Sequence, residues 1–230
     1  MATIDRSQYI MSDENVKGVD YATKWDSTSS ELDCYVSKGV DFICRYYAPD
    51  TSSSDKILTR SEAQDIINNG MDVVPVYQGS NNTASEFTRE NGYNDGLDAI
   101  SQAESLGQPK NTAIYFAVDF DAKYDIAAIK SYFSGVSDAF FEYEKYNGGQ
   151  SWLVGVYGGY DTVKELHNYS GVTKTWQANA WSFDASGNFQ NYRYRNIFQH
   201  TTDVEDYCPN NFLTDINASD GTHGGFSYLV

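Results

Sequence analysis

Ala113-Ile114-Tyr115-Phe116-Ala117-Val118-Asp119-Phe120-Asp121 is an apolar, β-prone run that ends in two carboxylates. Strands buried on both faces read as continuous apolar runs, the pattern of a parallel sheet covered by helices. Side chains alternate faces along a strand, so Asp119 and Asp121 are expected on one side, with Cβ atoms roughly 6 to 7 Å apart. Like charges that close push one pKa up, which keeps one carboxyl protonated while the other ionises. The competing reading is a strand-to-loop junction whose Asp residues cap a helix starting near Asp125.

Outward from this run, the chain alternates short β-rich segments with amphipathic stretches. Strands are expected at Lys17 to Tyr21, Phe42 to Tyr47, Val73 to Gly79, Ala113 to Phe120, Leu153 to Gly158, Thr175 to Ala180, Ile197 to Thr201 and Leu213 to Ile216. Ser30, Thr59, Thr83, Asp125 and Asp161 open helices; Glu62 stands at the capping-box position after Thr59, and Gly39, Gly70 and Gly107 mark helix ends. Residues 182 to 194 read as a loop or hairpin. Strands alternating with helices pair in parallel through right-handed crossovers, and eight such units in 230 residues match a single α/β domain, a (β/α)8 TIM-type barrel with its last helices degraded. Residues 1–16 are expected as an N-terminal arm and 17–230 as the barrel. An open doubly wound sheet is the alternative, but Asp20-Tyr21-Ala22-Thr23-Lys24-Trp25 after the first strand holds no glycine to cradle a phosphate.

Composition narrows the partners. The 32 acidic and 16 basic residues give a net charge of −16, which repels nucleic acid and anionic membrane surfaces alike. No stretch approaches the roughly 18 to 20 apolar residues of a membrane span. Nineteen tyrosines and four tryptophans suit stacking on sugar rings, although packing accounts for many of them. Met1 to Asn15 is polar and has no apolar run preceded by Lys or Arg, so no conventional secretory signal is expected. The expected location is the cytoplasm until release by lysis, or the cell wall by a non-conventional route. Cys34, Cys44 and Cys208 are too few and too scattered to indicate a disulfide framework or a zinc site, and Cys44 reads as a small core residue. No cofactor is indicated.

A barrel builds its active site at the carboxyl ends of its strands. Those ends carry Asp20, then Arg45, Tyr46 and Tyr47, then Tyr77 and Gln78, then Asp119 and Asp121, then Tyr157. Further along come Gln177, Asn179 and Trp181, Gln199 and His200, and last Asp215 and Asn217. Polar groups replacing apolar ones in mid-strand cost roughly 1 to 3 kcal/mol each if left unpartnered, which points to a shared cavity. Converging carboxylates suit a glycosidase, a hard cation held through oxygens, or a structural polar network.

The motifs Gly18-Val19-Asp20, Val118-Asp119-Phe120-Asp121, Thr175-Trp176-Gln177-Ala178, Phe198-Gln199-His200 and Asp215-Ile216-Asn217 resemble, in that order, the glycoside hydrolase family 25 lysozymes. These are barrel enzymes that cleave peptidoglycan after N-acetylmuramic acid. The closer resemblance, over about residues 17 to 226, is to a sister group of glycoside-hydrolase-like barrels, described as a domain of unknown function. That group similarly carries the Tyr-Phe-Ala-Val-Asp-x-Asp strand and a Gly-Gly-Phe such as Gly224-Gly225-Phe226. The resemblance implies a lysozyme-like action on peptidoglycan or another cell-wall glycan, with Asp20, Asp119, Asp121 and Asp215 catalytic. Arg45, Tyr77, Gln78, Tyr157, Gln177, Asn179, Trp181, Gln199 and His200 are the expected substrate-binding set. At the proton donor's position the lysozymes have Glu and this chain has Asp121, one methylene shorter, and a misplacement of about 1 Å can cost about a hundredfold in rate. A barrel that binds cell-envelope glycan without cleaving it is therefore the alternative expectation.

Overall fold

The computed structural model describes residues 3–23, 30–49, 55–80, 82–208 and 213–230. The strands are β1 (Ile4–Asp5), β2 (Val16–Asp20), β3 (Phe42–Tyr47), β4 (Asp72–Tyr77), β5 (Ala113–Ala117), β6 (Leu153–Gly158), β7 (Val172–Ala178), β8 (Ile197–Val204) and β9 (Thr214–Ser219). Interleaved with them are the helices α1 (Ser30–Ser37), α2 (Arg60–Asn68), α3 (Arg89–Leu106), α4 (Ile126–Tyr146) and α5 (Tyr160–Leu166). β2 to β9 close into an eight-stranded barrel, with β9 hydrogen-bonded to both β8 and β2. The expected TIM-type α/β barrel is what forms, and among the described residues no helix follows α5.

One strand departs from the expectation. β2 to β8 run parallel, but β9 is antiparallel to both neighbours. Only residues 205–213 separate β8 from β9, too few for the crossover that a parallel pair needs, so β9 pairs antiparallel. Asp215 was expected near the end of a parallel strand; it stands near the start of a reversed one. The reversal still puts it at the mouth, opposite Asp20 in register.

Strand parity sorts the side chains. Phe42, Cys44, Val74, Val76, Tyr115, Trp176 and Ile197 fill the barrel interior, whereas Ile43, Phe116, Val154 and Val156 pack outward under the helices. Phe116, for example, meets Phe133 and Phe140 of α4 edge-on at 6.3 and 6.0 Å. Two inward glycines make room for rings: a Cβ on Gly18 would lie 2.2 Å from Phe42, and one on Gly155 2.6 Å from Tyr115. The Gly-Gly-Phe motif closes the barrel's lower end, where Phe226 pairs with Val73 and the His223 ring stacks on Phe42 at 4.6 Å.

Local starts are partly as expected. Thr59 caps α2 by accepting from the Glu62 N–H, but the Glu62 carboxylate turns to Arg45 instead of back to Thr59. Thr88, not Thr83, caps α3. The expectation about cysteines is corrected outright: Cys34 of α1 and Cys208 after β8 form a disulfide with Cα atoms 5.9 Å apart. Their sequence separation of 174 hides the pairing from any reading of local spacing. Cys44 is free and buried inside the barrel, as expected. Ahead of β2, β1 pairs with the far end of β8, and Glu14 is buried in an ion pair with Arg195 at 2.6 Å.

Candidate active site

The carboxyl ends of the parallel strands and the start of β9 enclose a cavity of about 190 Å³. Its wall is polar because the same parity that sends apolar side chains inward lower down sends Asp20, Tyr46, Tyr157 and Gln199 inward at the top, where Gln78 and Asp119, just past the ends of β4 and β5, join them. Asp215 completes the ring from β9.

Asp20 and Asp215 form its centre. The Gln199 Nε2 donates to Asp20 Oδ2 and to Asp215 Oδ2, both at 3.0 Å. Asn217 Nδ2 donates to the same Asp20 oxygen at 2.7 Å. Both amides are held in this orientation from behind. The Trp176 indole N–H, which can only donate, takes Asn217 Oδ1 at 2.9 Å, and the Tyr157 hydroxyl donates to Gln199 Oε1 at 2.9 Å. Asp215 Oδ1 accepts the Asp203 backbone N–H at 2.8 Å, and Tyr46 lines the same cavity as Asp20.

These contacts do not offset burial. Loss of water pushes the Asp20 carboxyl up to about 6, against the opposing pull of Asn217, Gln199 and Tyr46. Burial, and next the charge of Asp20, push Asp215 up to about 8. Two carboxyls this close do not both ionise readily, so near neutral pH the pair holds a shared proton.

Asp119 stands apart from the pair. Gln78 Nε2 donates to its Oδ2 at 3.0 Å, and the ammonium of Lys56 in turn donates to Gln78 Oε1 at 2.8 Å. Burial raises the Asp119 carboxyl above the usual carboxylate range, and the Lys56 charge and the Gln78 hydrogen bond offset only part of that rise. The cavity thus sets a proton-holding pair against a carboxylate beside a cation, which is the division of labour that acid–base chemistry requires.

Of the residues expected at the site, Asp20, Gln78, Asp119, Tyr157, Gln199 and Asp215 are brought together here. Asp121 is not. β5 ends at Ala117, so the alternation that would align Asp121 with Asp119 stops before either acid. The Asp121 side chain is 48% exposed and 3.6 Å from Lys123 Nζ.

Arg45 and Tyr77 are corrected by parity, since each lies one residue from an inward-facing position and points outward. Arg45 is fully buried against Glu62 at 2.6 Å and donates to the Tyr21 carbonyl. Tyr77 donates to Asp98 of α3 at 2.9 Å. Gln177 likewise faces out, where its amide ties down the loop through Gln190, Tyr192 and Arg195. Asn179 donates to the His200 carbonyl, and Trp181 sits in the turn after β7 with a left-handed φ of 53°. His200 lines a separate groove beneath the N-terminal segment, where burial lowers its pKa to about 4. None of these borders the cavity.

Tyr46, Trp176 and Lys56 were missed as site residues. Tyr46 shares its face of β3 with Phe42 and Cys44, and Trp176 lies on the inner face of β7; which face turns inward is set by how the strands close into the barrel, not by either strand's own sequence. Lys56 lies in a turn outside any periodic element, and no sequence signal marks it. Among the described residues, no group of three His, Cys, Asp or Glu side chains is arranged to hold a metal ion, and no helix is long and apolar enough to cross a membrane.

The family model described as "Rv2525c-like, glycoside hydrolase-like domain" matches residues 33–219. The uncharacterized protein YbfG of Bacillus subtilis (strain 168) is 38% identical over 95 residues, which is 40% of this chain. The chain spans less than a fifth of the length of the curated relatives it matches, 13% for YbfG. Among solved structures, the Tat-secreted protein Rv2525c of Mycobacterium tuberculosis, in complex with L-tartrate, superposes with a TM-score of 0.69 at 19% identity, covering 91% of this chain and 98% of that one. The modular autolysin LytC of Streptococcus pneumoniae, in complex with a synthetic peptidoglycan ligand, superposes with a TM-score of 0.58 at 13% identity, covering 88% of this chain and 46% of LytC. At these identities both likenesses concern the fold.

Proposed function

The chain belongs to the Rv2525c-like family of glycoside hydrolase-like domains, and from that premise we propose that its barrel mouth hydrolyses a glycosidic bond of peptidoglycan or another cell-wall glycan. The observation that carries the proposal is the single Gln199 amide bound to both Asp20 and Asp215, with Asp119 held separately by Gln78. The proton shared by Asp20 and Asp215 passes from Asp215 to the glycosidic oxygen. The C–O bond breaks, the leaving sugar keeps the bonding electron pair, and positive charge develops on the remaining ring. Asp119 stabilises that oxocarbenium-like ring and takes a proton from the water whose oxygen bonds to the anomeric carbon, and that proton returns through solvent to the Asp20–Asp215 pair. Tyr46, Tyr157 and Trp176 supply the aromatic wall. The Cys34–Cys208 disulfide supports action in an oxidising setting such as the cell envelope.

A second reading, a barrel that binds the glycan without cleaving it, draws on one observation. The position at which the resembled lysozymes carry their proton donor is Asp121 here, and its side chain turns out to Lys123. Incubation with purified peptidoglycan separates the two. Hydrolysis clears the suspension, binding alone gives co-sedimentation without clearing, and absence of both contradicts the two readings together.

A further inference from the structure

The geometry points to Lys56 as a positioning residue: through Gln78 it orients Asp119 and favours its ionised form, across the cavity from the Asp20–Asp215 pair. Its catalytic meaning rests on the function proposed above, but the electrostatic arrangement stands without it.

A glutamine side chain has one accepting and one donating end. Lys56 Nζ, 2.8 Å from Gln78 Oε1, can only donate, so Oε1 must face the ammonium and Nε2 is left for Asp119 at 3.0 Å. The flipped amide would set N–H groups against an ammonium and an oxygen against a carboxylate. Lys56 is itself fixed over the Tyr46 ring, 4.9 Å from its centroid. Its long side chain is therefore anchored at two points on the cavity wall and does not wave in solvent.

Charge points the same way. The titratable groups facing Asp119 across the cavity are Asp20 from β2, Tyr46 from β3, Tyr157 from β6 and Asp215 from β9, all of them acids. Among the described residues Lys56 is the cation acting on Asp119, and Arg45, on the far side of β3, is matched by Glu62. Burial raises all three aspartates of the cavity, so burial alone gives none of them the part of the base. A lysine placed at Asp119 and not at the pair lowers that one carboxyl, which favours the base on its side and the acid on the other.

The test is a carbon-13 carboxyl NMR titration of the full chain without any glycan, for wild type, Lys56→Met, Lys56→Gln and Lys56→Arg. Lys56→Met and Lys56→Gln should raise the Asp119 midpoint by about one pH unit, the lower end for loss of a nearby opposite charge. Lys56→Arg should restore it, and the Asp20 and Asp215 midpoints should move less. An unchanged Asp119 midpoint in the two neutral variants overturns the inference, as does an equal shift of all three carboxyls. Because no substrate is used, the outcome holds whether or not the barrel proves to cleave glycan.

Discussion

Asp20 and Asp215 lie opposite each other in the antiparallel β2–β9 register, and one amide nitrogen, Nε2 of Gln199, donates to both carboxyls. The reversed β9 makes this possible, because it delivers Asp215 to the mouth at the start of its strand. Placing two acids against each other where water is largely excluded stores a proton, and it also sets a stability cost that varies with pH.

That cost fixes the first prediction. The Asp215 carboxyl is raised in the folded chain, so its contribution to stability is full below its unfolded value of about 3.9 and is lost as pH rises through about 8. Asp215→Asn stays neutral throughout and escapes the loss. Urea unfolding at pH 5 and pH 8.5 should show the variant gaining on wild type by on the order of 4 kcal/mol at the higher pH. A difference that is the same at both pH values would mean the pair holds no proton.

Neighbours on opposite faces of β3 should behave oppositely. Arg45→Met leaves Glu62 charged and buried without its partner, and should cost about 3 to 5 kcal/mol in urea unfolding. Tyr46→Phe removes only a hydroxyl at the cavity, and should cost about 1 kcal/mol while weakening glycan binding or turnover. If Arg45→Met unfolds like wild type and Tyr46→Phe is the damaging change, the assignment of faces is wrong.

Reduction should loosen the chain. Opening Cys34–Cys208 frees α1 from the segment after β8, and removing such a link typically costs about 2 to 4 kcal/mol. Thermal melts with and without a thiol reductant should differ by on the order of 10 °C, and Cys34→Ser should melt like the reduced wild type. Peptide mapping that finds both thiols free in protein prepared under oxidising conditions would contradict the pairing.

The barrel was legible because its signal is long-range and redundant: the strands at Phe42 to Tyr47 and Leu153 to Gly158 have the expected bounds, the other expected strands differ at their ends, and only the last also differs in direction. The acids at Asp20, Asp119 and Asp215 were legible because carboxylates seldom interrupt buried strands. Arg45, Tyr77, Gln177 and His200 misled because a strand end offers two faces one residue apart. Parity distinguishes them only when carried along each strand from a residue whose face is known. Asp121 misled in another way, since it rested on a strand running past Ala117, where the chain in fact leaves the sheet. Lys56 and the Cys34–Cys208 link were out of reach, as both depend on where turns fold back in space.

The most direct test of the central claim is release of new reducing ends from purified peptidoglycan by wild type, Asp215→Asn, Asp119→Asn and Asp121→Asn, each checked for folding. A cavity built on Asp20, Asp215 and Asp119 predicts release by wild type, release within about twofold of it by Asp121→Asn, and a loss of about a hundredfold or more with Asp215→Asn and Asp119→Asn. Release that survives Asp215→Asn but disappears with Asp121→Asn would contradict the account and return the chemistry to the exposed acid beside Lys123.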